Sequence, residues 1–214
     1  MSDSLKNIRR DFSRNILAEG DVPRDPLDLL SVWLGEAIAG SIPDSNAMSL
    51  STIDREGFPV SRIVLLRGTS KNGLCFFTNY LSSKGQELGV NPKAALQFFW
   101  PELERQIRIR GVVEKLSSAE SDEYFSSRPR ESQLGAWASP QSEVIASRDV
   151  LDANLALYTE KFKEMKVIPR PPHWGGYRLA PVSFEFWQGR PSRLHDRLRA
   201  RLDGDLWCWQ RLAP

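Results

Sequence analysis

Residues 185 to 201, EFWQGRPSRLHDRLRAR, gather five arginines, one histidine and one tryptophan within seventeen positions. Guanidinium groups carry fixed charge on a planar fork of donors, which suits phosphate or carboxylate, and an indole beside them suits an aromatic ring. On an extended strand Arg193, His195, Arg197, Arg199 and Arg201 would share one face, with Leu194, Leu198, Ala200 and Leu202 on the other. Leu194, Leu198 and Leu202 also recur at every fourth residue, as on a surface helix. Just downstream, LDGDLWCWQRL sets Asp203-Gly204 between two alternating runs, a hairpin signal that decides for the strand.

Further cations stand elsewhere. Arg62 precedes IVLL and Arg67 follows it, and five residues apart on a regular strand they point to opposite faces. Ser82, Ser83 and Lys84 open a short helix, where free backbone N–H groups and the positive dipole end favour phosphate. In LERQIRIRG the alternation puts Gln106, Arg108 and Arg110 opposite Ile107 and Ile109, and Gln106 could hydrogen-bond the edge of a heteroaromatic ring. Taken singly, each of these arginines reads as a solvated side chain whose ion pairs are worth at most about 1 kcal/mol. Together they can engage a phosphate, which carries about −1.5 to −2 charges and three acceptor oxygens. Trp187 reads equally as a core residue. The residues alone therefore describe a pocket for a phosphorylated aromatic ligand and name no reaction.

Other chemistries are excluded. The chain has no GxGxxG, no GK[ST] phosphate loop, no HExxH and no CxxC. Its two histidines, His173 and His195, cannot build a histidine-rich metal site, so no metal is expected. A Ser-His-Asp arrangement around His195 and Asp196 lacks a serine in a nucleophile-elbow context.

With 214 residues, 41% hydrophobic and 26% charged, the chain reads as an ordinary globular protein, long enough for one domain with a sizeable core or at most two small ones, and no linker long enough to divide it is evident. The balance of 29 basic and 27 acidic side chains, net +2, argues against nucleic acid or an anionic membrane as partner. Cys75 and Cys208 fall in no disulfide framework or metal-ligand spacing, the N-terminal residues contain no secretory apolar core, and IVLL is far too short to span a bilayer. A cytoplasmic protein is expected.

The elements that must position these residues follow from periodicity. Leu5, Ile8, Phe12 and Ile16 predict an amphipathic helix ending near Gly20, an arm over residues 1–20. Asp25 as N-cap with Pro26 behind it starts a helix that stops at Gly40. AMSLSTI, the DREG turn, FPVSRIVLL, the loop GTSKNG and LCFFT read as an antiparallel meander that KAALQFFW and LERQIRIRGVVEKL extend. Ser117 with Glu120 makes a capping box for a helix that Pro129 closes. A helix over 147–165 has Val150, Leu151, Leu155, Tyr158 and Phe162 as its buried stripe, and strands return in YRLA and VSFEFW. With no room for parallel crossovers, the expected fold is α+β with an antiparallel sheet closing into a barrel.

The segments SRIVLL, FFTN, SSKGQEL, ERQIRIRG, YFSSRPRESQLGAWAS, QS at 141–142, WGGYRL, EFWQGRPSRLHDR and the terminal RLAP resemble, in order and over about residues 44 to 214, the pyridoxine (pyridoxamine) 5′-phosphate oxidase family, and IRRDF looks like that family's arm. The related oxidase of phenazine biosynthesis is the sibling alternative, but the intact RPRESQLGAW and RLHDR blocks look more like the vitamin-processing enzymes. The resemblance implies an FMN-binding split-barrel domain over 21–214 in a homodimer. It implies oxidation of pyridoxine or pyridoxamine 5′-phosphate by O2 to pyridoxal 5′-phosphate. It assigns FMN to Arg62, Ile63, Val64, Leu65, Phe77, Thr78, Ser83, Lys84, Gln106, Gln141, Ser142, Trp187 and Arg197. Substrate falls to Arg9, Arg10 and Phe12 of the arm and to Arg67, Tyr124, Arg128 and Ser132, with Arg193 and His195 over the pyridine ring as catalytic residues. Three positions depart from the family's usual residues: Ser83 in place of Arg, Arg67 in place of Lys, and Phe12 in place of Tyr. Rival readings are a flavin or pyridoxal-phosphate carrier without turnover, and a nucleic-acid platform built on Trp207 and Trp209, which the weak net charge disfavours.

Overall fold

A computed structural model of the chain describes Asn7 and residues 11 to 214. The described residues form helices α1 (Pro26–Ala39), α2 (Ser83–Val90), α3 (Ser118–Ser127), α4 (Arg130–Ala138) and α5 (Arg148–Phe162). They also form strands β1 (Ala47–Ile53), β2 (Pro59–Leu65), β3 (Gly68–Ser70), β4 (Gly73–Asn79), β5 (Lys93–Trp100), β6 (Arg105–Lys115), β7 (Trp174–Gln188), β8 (Asp196–Asp203) and β9 (Leu206–Arg211). Strand order is β2-β1-β5-β6-β7-β4-β3, with β8 joining β7 and β9 joining β8. This is the expected α+β class with an antiparallel sheet of split-barrel type. The chain divides into two compact units, one holding the described N-terminal residues through Ser49, Ala95–Arg110 and Pro181–Pro214, the other Leu50–Ala94 and Gly111–Ala180.

In the first unit α1 starts as expected: the Asp25 carboxylate accepts from the Leu27 N–H at 2.9 Å, with Pro26 next to it. Its buried face carries Leu29, Leu30, Trp33 and Ala37, and Trp33 meets Phe186 edge-on at 5.3 Å. Phe98, Ile107, Ile109, Phe184 and Phe186 are fully enclosed, so the alternation in β6 buries the isoleucines and leaves Arg108 and Arg110 exposed. The β8–β9 hairpin turns at Gly204, whose φ of +59° costs a glycine nothing.

The second unit holds a separate cluster of Phe125, Leu134, Phe162, Ile168 and Trp174. Ser117 and Glu120 cap α3 reciprocally, at 3.2 Å and 3.0 Å. Pro129 ends α3 as expected, because the residue before a proline is driven out of helical geometry, but it also serves as the N-cap of α4, which the sequence reading left unassigned.

Several expectations are corrected. The arm helix does not form in residues 11–18; Ser13, Arg14 and Leu17 give their N–H groups to carboxylates of other segments, which replaces helical pairing. Its start, with Leu5 and Ile8, lies outside the described residues, as do Arg9 and Arg10. The loop GTSKNG contains β3, paired to β4. YRLA and VSFEFW are one strand, β7: residues 174–179 pair with β4 and 183–188 with β8, so Pro181 falls between these two ladders, and its missing N–H costs neither of them a bond. The stretch 185–201 is not one strand; Gly189 to His195 form a turn between β7 and β8, which leaves Leu194 71% exposed and takes Arg193 and His195 off the strand face. On α5 the stripe is buried only at Phe162, and Leu155 is exposed.

Candidate active site

The second unit contains a cavity of about 690 Å³ into which strand ends and helix starts aim side chains of complementary kinds. Ile63, Val64 and Leu65 of β2 with Arg67 beyond it, Phe77 and Thr78 of β4, Lys84 at the start of α2, Tyr124 of α3, Arg128, Ser132 of α4 and Gln141 all line it. Eleven residues expected at the site from distant parts of the sequence thus meet in one place. Trp174, from the quoted WGGYRL block, also lines the cavity. Phe77 stacks on Tyr124 at 3.8 Å and 21°, and Tyr124 lies nearly parallel to Trp174 at 6.2 Å, giving an aromatic wall.

The cations of this cavity are poorly neutralised. Arg128 lies over the Trp174 ring at 4.6 Å, and its Nη1 is buried with no hydrogen-bond partner among the described residues. Burial lowers its pKa, and the charge of Arg67 nearby lowers it further. A buried guanidinium nitrogen without an acceptor is costly unless a ligand supplies one. Gln133 fixes this arginine from behind: its amide donates to the carbonyls of Phe125, Ser126 and Arg128 at 3.0 to 3.2 Å, tying the end of α3 to α4. No local pattern in RPRESQ singles out Gln133 for that role. Lys84 Nζ stands 3.3 Å from Gln141 Oε1, which also accepts from Thr78 Oγ1 at 3.1 Å. Burial lowers the Lys84 pKa, and Arg62 adds to the effect.

Six of the expected flavin residues do not line this cavity, and three of these belong to the same unit. Arg62 turns inward, its Nη2 2.8 Å from Glu87 Oε2 and its Nη1 donating to Thr52 Oγ1, which itself donates to Glu87. Ser83 and Ser142 line a neighbouring groove with Asp54, Glu56 and Glu143.

The first unit has a smaller cavity of about 280 Å³ lined by Gln106, Arg108, Glu185, Trp187, His195, Arg197 and Pro214. Arg197 is pinned by Glu185 Oε1, 3.1 Å from Nε and 2.9 Å from Nη2, and by the Ala213 carbonyl at 2.7 Å. Trp187 and His195 lie 4.6 Å apart, with Phe12 edge-on to both. His195 Nδ1 accepts from the Arg190 N–H at 3.1 Å, which leaves the ring proton on Nε2. Burial lowers its pKa, Arg193 lowers it further and Asp196 opposes them. Arg193 itself is exposed, lines neither cavity, and follows Ser192 in left-handed geometry, φ +62° and +57°. Two successive non-glycine residues in that region are strained, and such strain gathers at functional turns.

The fold and site define an α+β split-barrel protein with a cationic, aromatic-walled cavity. Residues 34–161 match the family described as pyridoxamine 5′-phosphate oxidase, and residues 174–214 match the pyridoxine 5′-phosphate oxidase C-terminal dimerisation region. A pyridoxine/pyridoxamine 5′-phosphate oxidase of Polynucleobacter asymbioticus is 52% identical over 99% of this chain and all of its own. The crystal structure of PhzG from Burkholderia lata, in complex with tetrahydrophenazine-1-carboxylic acid, superposes with a TM-score of 0.87 at 32% identity, covering 94% of this chain and 98% of that one. A pyridoxamine 5′-phosphate oxidase-related, FMN-binding protein of Nostoc punctiforme shares the fold at 17% identity, with a TM-score of 0.69 and 89% and 98% of the two chains covered. The chain belongs to the pyridoxamine 5′-phosphate oxidase family. Among the described residues no helix is long and apolar enough to cross a membrane, and no cluster of His, Cys, Asp and Glu could hold a metal ion.

Proposed function

We propose that the protein oxidises pyridoxine 5′-phosphate and pyridoxamine 5′-phosphate to pyridoxal 5′-phosphate in the cytoplasm, with FMN as cofactor and O2 as final electron acceptor. The alcohol loses two electrons and two protons at C4′, and O2 takes them to become hydrogen peroxide; the amine also consumes water and releases ammonia. The single observation that carries this reading is the cavity in which the unsatisfied Arg128, with Arg67 and Lys84, faces the Phe77–Tyr124–Trp174 wall, in a chain 52% identical to an oxidase of that name. Such a lining fits flat, phosphorylated rings.

FMN, when bound, accepts the hydride. Lys84, Thr78 and Gln141, already linked to one another, would hold it, with the backbone of Ile63–Leu65, Phe77 and Gln106, Trp187 and Arg197. Arg62, Ser83 and Ser142 are assigned to it by resemblance; Arg62 would first have to share its fork with Glu87. Arg67, Tyr124, Arg128 and Ser132 would take the substrate phosphate. Arg193 would hold the ring face and stabilise negative charge growing near C4′, and His195, with its proton on Nε2, would donate to a ring substituent. Arg9, Arg10 and Phe12, in an arm over residues 1–20, would cover the substrate, and 21–214 would form the oxidase domain. The match of residues 174–214 to a dimerisation region supports a homodimer.

The test is anaerobic mixing of the flavin-loaded protein with pyridoxamine 5′-phosphate. The flavin absorbance should bleach, and admitting air should restore it with release of peroxide. Flavin that stays oxidised would leave a carrier rather than an enzyme.

A further inference from the structure

The described arm has no α-helix, yet five of its backbone groups are held by side chains from elsewhere in the same unit, the Leu17 carbonyl among them, which accepts from Arg211 Nη2 at 3.0 Å. The N–H groups of Ser13 and Arg14 both donate to Glu104 Oε2, at 2.9 and 3.1 Å. The Leu17 N–H donates to Asp196 Oδ2 at 3.1 Å, and the Asn15 carbonyl accepts from Arg190 Nη1 at 3.3 Å. This path sets the Phe12 ring edge-on to Trp187 at 5.6 Å and to His195 at 5.5 Å.

The floor under Phe12 is Gly189, where an added Cβ would lie 2.8 Å from Phe12 Cβ. A hydrogen is the only side chain that admits the ring so closely. Glu104 joins floor and cover: its carbonyl accepts from the Gly189 N–H at 2.8 Å, while its carboxylate takes the arm. It is 3% exposed and sits at φ +56°, where a glycine would be at ease and a glutamate is not. A strained, buried carboxylate that spends one oxygen on two consecutive N–H groups of a distant segment is built to hold that segment.

We propose that Glu104 is a positioning residue for substrate capture: its carboxylate latches residues 13 and 14 so that Phe12 closes over Trp187 and His195. The inference rests on the oxidase reading for what is covered, and the latch itself is read from the geometry. Substrate affinity, not the chemical step, then depends on Glu104.

The experiment compares Glu104→Gln with the parent in the flavin-loaded full chain. Loss of charge assistance on two hydrogen bonds should raise KM for pyridoxamine 5′-phosphate about tenfold with kcat nearly kept. Amide exchange over residues 12–17 should speed up in the same variant while flavin absorbance is retained. Ser13→Pro, at an exposed position, deletes one donor and leaves Glu104 in place; it should raise KM in the same direction, so the idea stays testable if Glu104→Gln folds poorly. Parental exchange in Glu104→Gln overturns the latch, as does faster exchange with parental KM, or a parental KM in Ser13→Pro. If the parent itself shows no turnover, the oxidase reading fails, and amide exchange alone still decides whether the carboxylate holds the arm.

Discussion

The two compact units treat their arginines in opposite ways. Among the described residues the cations around the larger cavity are loosely matched: Arg128 keeps a buried nitrogen without a partner, and Lys84, its pKa lowered first by burial, has Ser82 and Gln141 oxygens at 3.4 and 3.3 Å while the Glu87 charge offsets part of the shift. Around the smaller cavity each arginine is matched, Arg197 and Arg108 to Glu185 and Arg190 to Asp196. Unmatched charge is held ready for an anion that arrives from outside. Matched charge has a different use: it fixes the direction of the side chains that carry it, and here they frame Trp187 and His195. Counting arginines in the sequence therefore overstates one site and understates the other.

The contrast can be broken experimentally. The largest effect is expected at Arg193, which stands in the strained turn and has no carboxylate ion pair among the described residues: Arg193→Ala should cut the rate of anaerobic flavin reduction about 10²- to 10³-fold with flavin content unchanged. Parental reduction rates would remove it from the chemistry. Next comes Arg128→Met, which should raise KM for the phosphorylated substrate about ten- to hundredfold, one charge-assisted hydrogen bond, whereas Arg108→Gln in the matched set should shift it by less than about threefold. Similar steady-state KM values for the two variants would erase the distinction between the units. The smallest effect concerns His195. Its pKa is held below the ordinary 6.5, first by burial and then by Arg193, so the folded state favours the neutral ring. Its contribution to stability is therefore complete above about pH 6.5 and is lost as pH falls through the folded midpoint. Arg193→Gln should move that midpoint upward in an NMR titration, and a midpoint that stays or falls would rule out the pairing.

Much of the framework was legible because short-range rules set it. Asp25-Pro26, the Ser117–Glu120 box and the Gly204 turn are local, and the structure keeps all three. The alternation in β6 likewise predicted which face carries Gln106 and the arginines. Eleven expected site residues do converge on one cavity, but their convergence was readable only through the family motifs, since no local pattern relates Lys84 to Gln141. The failures share a cause: long-range partners overrode local periodicity. Residues 11–18 have helical spacing, but Ser13 and Arg14 give their N–H groups to Glu104 and Leu17 gives its own to Asp196. Apart from these failures, Arg62 pairs with Glu87, 25 residues away, a partner that no local spacing announces. The 185–201 stretch alternates like a strand until Gly189 and Pro191 interrupt it, a break those residue types announced and the arginine spacing masked.

The parallel rings of Phe77, Tyr124 and Trp174 have an optical consequence. An indole that forms part of a cavity wall emits into whatever enters, and a yellow guest absorbs near that emission. The chain has seven tryptophans, but Trp174 is the one that lines the larger cavity. Its light should dim as the cavity fills, which makes the wall a built-in gauge of occupancy.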